Sequence, residues 1–245
     1  MPEISHNAEF PPTRWTVVME AQSSESPNSA QALAELCSAY WYPVYAYVRR
    51  SGRNREDAED LTQSFFAGLF NPESFAKLNQ GKWRGKLRSF LLTAMKNYMT
   101  NDWRKAQAQK RGGGKALLSL DANEAESWFS AEPASAETPE TLYERNWAIS
   151  LLDGAFQRLR AECDQRGKID AFETLKDILG NPGKTVNFSA IGEKLGTTEG
   201  NARVMAHRLR GRLRDLLREV IRDTVGSDAE VEDELAHVRA ALTAK

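Results

Sequence analysis

The sequence lacks most of what would give a protein its own chemistry. Only two of its 245 residues are cysteines, Cys37 and Cys163. That is too few for a disulfide framework or a zinc-ligand spacing, and both sit among apolar residues at helical spacing, so buried thiols are expected. The three histidines, His6, His207 and His237, are scattered and form no metal-ligand set or nucleophile–base constellation. One glycine-rich run, RGGGKA at 111–116, resembles a phosphate loop, but Gln109 stands where its first glycine belongs and Ala116 replaces the Ser or Thr. Neither an enzyme nor a bound cofactor or metal is therefore expected. No apolar run approaches the roughly 20 residues that cross a bilayer, and the opening residues show no leader pattern. The expectation is a cytoplasmic protein without membrane insertion. Strand-like alternation is weak, and net charge is almost nil, formally -1.

That near-zero charge hides a segregation. Residues 82–115 carry ten Lys or Arg and a single acid, Asp102. Residues 116–144 carry no Lys or Arg, while Asp121, Glu124, Glu126, Glu132, Glu137, Glu140 and Glu144 are acidic. From 203 to 222 there are seven arginines against Asp215 and Glu219. Two basic blocks parted by an acidic one suggest two surfaces for a polyanion. Hydrophobic content of 41% and charged content of 27% suit a globular chain of one or two domains.

Helical periodicity runs through the chain, and the fold class read from it is all-α, with two helical domains. Leu33, Leu36, Cys37, Tyr40, Trp41, Val44, Tyr45 and Val48 recur at spacings of three and four, one apolar helix face. SGRN breaks that helix. Asn54 can N-cap the next, with Asp57 at its third position and Ala58, Leu61, Phe65 and Leu69 as its buried stripe. Leu87, Leu91, Ala94, Met95 and Tyr98 mark a third helix; Phe90 is read as core beside them. The first domain is placed at 10–111. Residues 112–140 read as a flexible acidic linker, in which SLDANEAESWF could hold a turn of helix docking Trp128 and Phe129. The second domain is placed at 141–225, with a C-terminal helical extension at 226–245.

GEKLGTTEGNARVMAHRLRGRLRDLL (192–217) is the most informative stretch. At 100° per residue, Ala202, Met205, Ala206, Leu209, Leu213, Leu216, Leu217 and Val220 share one direction, the core face. Arg203, His207, Arg210 and Arg214 flank it on one side, Asn201, Arg208 and Arg212 on the other. The residues before them fit a helix-turn-helix. Gly192 is small where two helices approach, Gly196 can take the left-handed conformation that ends the first helix, and Thr198 can N-cap the second. In such a motif the start of the second helix enters the major groove, so Thr198, Glu199, Gly200, Asn201, Arg203, Val204 and His207 are the DNA-facing candidates. Arg208, Arg210 and Arg212 are the expected phosphate contacts.

DAEDLTQSFF (57–66), followed by GKLRSFLLTAMKNYMTNDWRK and, much later, by IGEKLGTTEGNARVMAHRLRGRLRDLL, resembles a sigma-70 family RNA polymerase sigma factor. The resemblance covers about Phe10 to Val225 and is greatest to the extracytoplasmic-function (ECF) type, built from sigma domains two and four. It implies that Asp57, Asp60, Gln63 and Phe66 grip the beta-prime clamp helices of core RNA polymerase; Ser64 stands where the family often has Glu. It implies that the helix from Arg88 onward binds the promoter −10 element and helps open it, through Lys96, Asn97, Trp103, Arg104, Lys105, Lys110 and Arg111. It makes the 192–217 unit domain four, reading the −35 element beside the beta flap. It also implies that the acidic linker could occupy the polymerase channel that nascent RNA needs. In the free protein that linker could lie over the basic surfaces. The C-terminal helix could pack on domain four or receive a regulator such as an anti-sigma factor. A stand-alone helix-turn-helix regulator is the alternative, but it would not need the DAEDLTQSFF surface or the first basic block, and no dimer interface is evident.

Overall fold

The computed structural model describes residues 27–70, 86–106, 122–132, 137–180, 185–225 and 227–243. Side chains are described for all of these except 27–38, 70, 101–106 and 122–124. Among the described residues there are helices and no strands: α1 Pro27–Arg50, α2 Arg55–Phe70, α3 Leu87–Ala106, α4 Ala122–Ala131, α5 Pro139–Gln165, α6 Ile169–Leu179, α7 Phe188–Lys194, α8 Glu199–Arg222 and α9 Ala229–Thr243. They divide into two compact units, Met1–Tyr143 with Arg222–Glu230, and Glu144–Ile221 with Val231–Lys245.

The first unit is built on α1, α2 and α3. Tyr40, Trp41, Val44, Tyr45 and Val48 of α1 are fully buried, as their spacing demands. The helix runs through Pro43, which sits buried in its interior. Gly52 ends α1 at φ +91°, where its N–H reaches the Arg49 carbonyl. Two residues on, Asn54 caps α2: its Oδ1 accepts from the Asp57 N–H at 2.8 Å and its Nδ2 donates to the Asp57 carboxylate at 3.0 Å. Ala58, Leu61, Phe65 and Leu69 form the α2 stripe, and Leu87, Phe90, Leu91, Ala94 and Met95 that of α3. Tyr98 meets Phe65 edge-on at 5.8 Å.

Two elements depart from the expected organisation. The stretch read as a flexible linker that could hold a docked turn of helix contains a ten-residue helix, α4, whose contacts lie on α1. Residues 222–230, expected to straddle the end of the second domain, join the first unit. The first N–H of α3, at Leu87, has no partner within its own helix and donates to the Thr224 carbonyl at 3.0 Å. Thr224 and Val225 are buried there.

The second unit packs α5, α6, α7 and α8 around Leu159, Cys163, Phe172, Leu175, Leu179, Ala206, Leu213 and Leu216. Cys163 is a buried thiol, as its surroundings predict, and burial pushes its pKa up; the Cys37 side chain lies outside those described. The final helix, α9, packs by Val231, Leu235 and Val238. Its His237 reaches the Glu144 carboxylate at 2.9 Å and lies against the Trp147 ring.

Candidate nucleic-acid interface

The turn between α7 and α8 is fixed from both sides. Asn187 caps the start of α7 by accepting from the Ala190 N–H. Its end is a Schellman arrangement: Gly196 sits at φ +61°, its N–H donating to Glu193 O, while the Thr197 N–H donates to Gly192 O at 2.8 Å. Thr198 then accepts from the Asn201 N–H and starts α8. A Cβ at Gly192 would stand 2.8 Å from Thr197 O and 3.1 Å from Glu199 N. Glycine is therefore required there by close approach, and it sets how tightly the turn folds back on α7.

The seven arginines of α8 do not form one surface. Arg203 lies along the helix, its guanidinium on the Glu199 carboxylate at 2.7 Å and 4.7 Å above the Phe188 ring. Arg210, expected to bind phosphate, instead donates to the Ile178 carbonyl at 2.9 Å in the last turn of α6. Arg212, expected in the same role, holds Glu162 of α5 by a two-pronged contact at 2.6 and 3.0 Å and Glu219 at 2.9 Å. Those hydrogen bonds raise its own pKa and hold the Glu162 carboxyl below the usual range. Both are engaged within the unit for the same reason: each residue lies on a flank of α8 that faces a neighbouring helix end, where a carbonyl or carboxylate competes with solvent. Arg218 pairs with Glu232 and Arg222 with Asp228. Only Arg208 and Arg214 remain exposed without an acidic partner among the described residues.

Beside them the outward face of α8 carries Gly200, Val204 and His207, all exposed; Val204 is 45% accessible, high for an apolar side chain. Asn201 leans back onto Thr197 Oγ1 at 2.6 Å. With Lys168, Met205, Arg208 and Leu209 it lines a hollow of about 300 Å³ at the start of α6. Lys168 and Arg214 were not singled out as site residues by the sequence. Lys168 is an isolated cation whose placement beside α8 only the packing reveals, whereas Arg214 stands on the α8 flank that the helical spacing already marks.

On the first unit, Asp57 and Asp60 are exposed on α2, clear of its buried stripe. Gln63 is partly exposed and lies 3.4 Å from Glu59. Phe66, expected on the same outward surface, is 1% exposed and packs edge-on against Phe65. Its ring points inward because the apolar stripe of α2 is wide enough to include both aromatics. On α3, Asn97 is exposed and Lys96 is paired at 2.8 Å with Glu140. That pair is half-exposed and worth well under ~1 kcal/mol, so it opens readily. Trp103, Arg104 and Lys105 lie on α3 with side chains outside those described, and Lys110 and Arg111 lie outside the described residues. Among the described residues no cluster of His, Cys, Asp or Glu could hold a metal ion, and no helix is long and apolar enough to cross a membrane.

No curated protein and no solved structure matches the chain. Residues 38–109, from the second half of α1 to beyond α3, match the family model described as Sigma-70 region 2. That match makes this part of the chain similar to region 2 of sigma-70 family sigma factors, and it supports a sigma factor role in transcription initiation.

Proposed function

We propose that the protein is a two-domain sigma factor of the ECF type, acting in the cytoplasm. The region 2 match is the observation that carries this reading, because it occurs in one chain with a second unit in which a fixed turn presents a long basic helix. Domain two spans 10–111 in this proposal. Asp57, Asp60 and Gln63 face the beta-prime clamp helices, and Lys96, Asn97 and the basic end of α3 face the −10 element. Domain four spans 141–225, with α7 and α8 as its helix-turn-helix beside the beta flap. Glu199, Arg203, Val204 and His207 face the −35 bases, with Arg208 and Arg214 on the phosphates. Arg210 and Arg212 shape domain four instead of touching DNA.

Neither domain needs to bind tightly alone. Once polymerase holds both, the second contact forms at high effective concentration, and two weak sites act as one strong one. Backbone contacts set position and base contacts set sequence. Two free arginines on α8 give little backbone affinity, consistent with dependence on polymerase.

The test is capture of purified bacterial core RNA polymerase by the wild-type chain and by Asp60→Ala with Gln63→Ala. Capture by the wild type that the double substitution weakens about tenfold or more supports the proposal. Equal capture would remove the α2 surface from it. No capture by the wild type would leave a stand-alone DNA-binding protein.

A further inference from the structure

The stretch VYAYVRRSGRNR (44–55) holds four arginines and no carboxylate, and nothing above gives those arginine side chains a role. Tyr42, Tyr45 and Arg49 recur on one face of α1, and α4 lies on that face. Arg49 grips Glu126 as a fork, Nε to Oε2 at 2.9 Å and Nη2 to Oε1 at 2.7 Å. The Tyr45 hydroxyl donates to the same carboxylate. The Phe129 ring lies beneath two guanidinium groups, Arg49 at 4.7 Å and Arg50 at 5.8 Å. Trp128 stands edge-on to Tyr42 at 5.2 Å, and the Tyr42 hydroxyl donates to Glu132 at 2.8 Å.

Each of these contacts has a counterpart in nucleic-acid recognition. A forked guanidinium with a hydroxyl beside it suits a phosphate as well as a carboxylate. Arginines stacked on a flat ring, next to a tyrosine, suit an unstacked base. The helix that occupies the face is weakly anchored by comparison. Of its described side chains only Ala125 is fully buried, and Trp128 is 45% exposed. Charge and ring contacts hold α4, and such contacts exchange with a competitor of the same chemistry more readily than a shared apolar core does.

The geometry points to a single-stranded nucleic-acid site on α1, formed by Tyr42, Tyr45, Arg49 and Arg50, that the chain's own α4 fills. Glu126 stands in for a phosphate and Phe129 for a base. The ligand chemistry is a phosphate-linked strand with exposed base faces, DNA or RNA. A strand binds by displacing α4, so in the free protein the site is closed. This inference does not depend on polymerase and stands apart from the promoter contacts proposed for α3 and α8.

The test uses the full chain with 12-nucleotide single strands of DNA and of RNA, read by fluorescence anisotropy, and amide hydrogen exchange across 122–132. Glu126→Gln is expected to tighten single-strand binding about tenfold by weakening the built-in competitor. Glu173→Gln, which removes the same charge from the second unit, is expected to leave it within about twofold. Adding Arg50→Gln to Glu126→Gln is expected to cancel the gain. In the unaltered chain, saturating strand is expected to speed amide exchange in α4, a readout that stands even if a variant folds poorly. The tighter-binding strand, DNA or RNA, identifies the source. Equal gains from Glu126→Gln and Glu173→Gln would overturn the inference, as would unchanged α4 exchange at saturation. An equal gain for duplex DNA would also overturn it, reducing the effect to charge alone. So would displacement of α4 by an acidic helical peptide but by neither strand, which would assign the face to a protein partner.

Discussion

Arg212 and Arg49 make the same contact, a forked guanidinium on a glutamate, and the two regions use it differently. Around Arg212 the ion pair lies at the edge of a shared apolar core. Leu213 and Leu216 of α8 pack with Leu159, Phe172 and Leu175 of α5 and α6. The salt bridge there fixes the angle of a helix that hydrophobic burial already holds. Around Arg49 the pair is a main anchor of α4, whose only fully buried described side chain is an alanine. The same pair thus locks one helix and tethers the other. Burial behind an ion pair, more than its geometry, decides whether the element can leave.

The largest expected effect tests the locked region. Phe172→Ala empties a site 3% exposed in the second unit and should lower its stability by ~3–5 kcal/mol. Phe129→Ala should release α4 while leaving the rest of the first unit within ~1 kcal/mol, because the α1–α3 core does not include it. Denaturant unfolding with amide exchange checks both, and equal global losses would erase the distinction. Next is Gly192→Ala. Its new Cβ would meet backbone, which cannot rotate away, so a loss of ~1–3 kcal/mol in the second unit is expected, seen as a lower melting temperature.

The arginines of α8 give a smaller and sharper contrast. Arg212→Ala should cost ~1 kcal/mol of stability, since the pair is partly screened. Arg208→Ala with Arg214→Ala should leave melting unchanged within ~0.5 kcal/mol and reduce the salt dependence of duplex binding by about two units of slope. Reversed results would mean the free and tied arginines have been misassigned.

Acid should separate the regions last. Arg49 holds the Glu126 carboxyl below its ordinary 4.5, and Arg212 does the same for Glu162. Each contribution is whole above the unfolded value and is lost as pH falls through the lower folded value. As pH falls below 4.5, α4 amides should lose protection first, while those of α8 persist on their apolar core. Simultaneous loss would contradict the contrast.

Much of the fold was legible because it rests on local patterns. The Asn54 and Thr198 caps, the left-handed Gly196 and the stripes of α2, α3 and α8 all follow from residues within a few positions of one another. The site was legible in outline only. A helical wheel puts Arg210 and Arg212 on flanks but cannot say that the Ile178 carbonyl and Glu162 wait there, 32 and 50 residues away in sequence. Phe66 was placed outward by resemblance, although the burial pattern of α2 takes it in. The α4 helix was half seen: composition argued for a linker, while Trp128 and Phe129 argued for a docked turn, and the deciding partner, Arg49, lies 77 residues earlier.

The central claim is that this chain directs core RNA polymerase to promoters. Run-off transcription from a genomic fragment library, with purified core enzyme and with or without the chain, tests it most directly. The account predicts discrete transcripts that require the chain and share −35 and −10 elements upstream of their starts. Transcripts no different from those of core enzyme alone would contradict it.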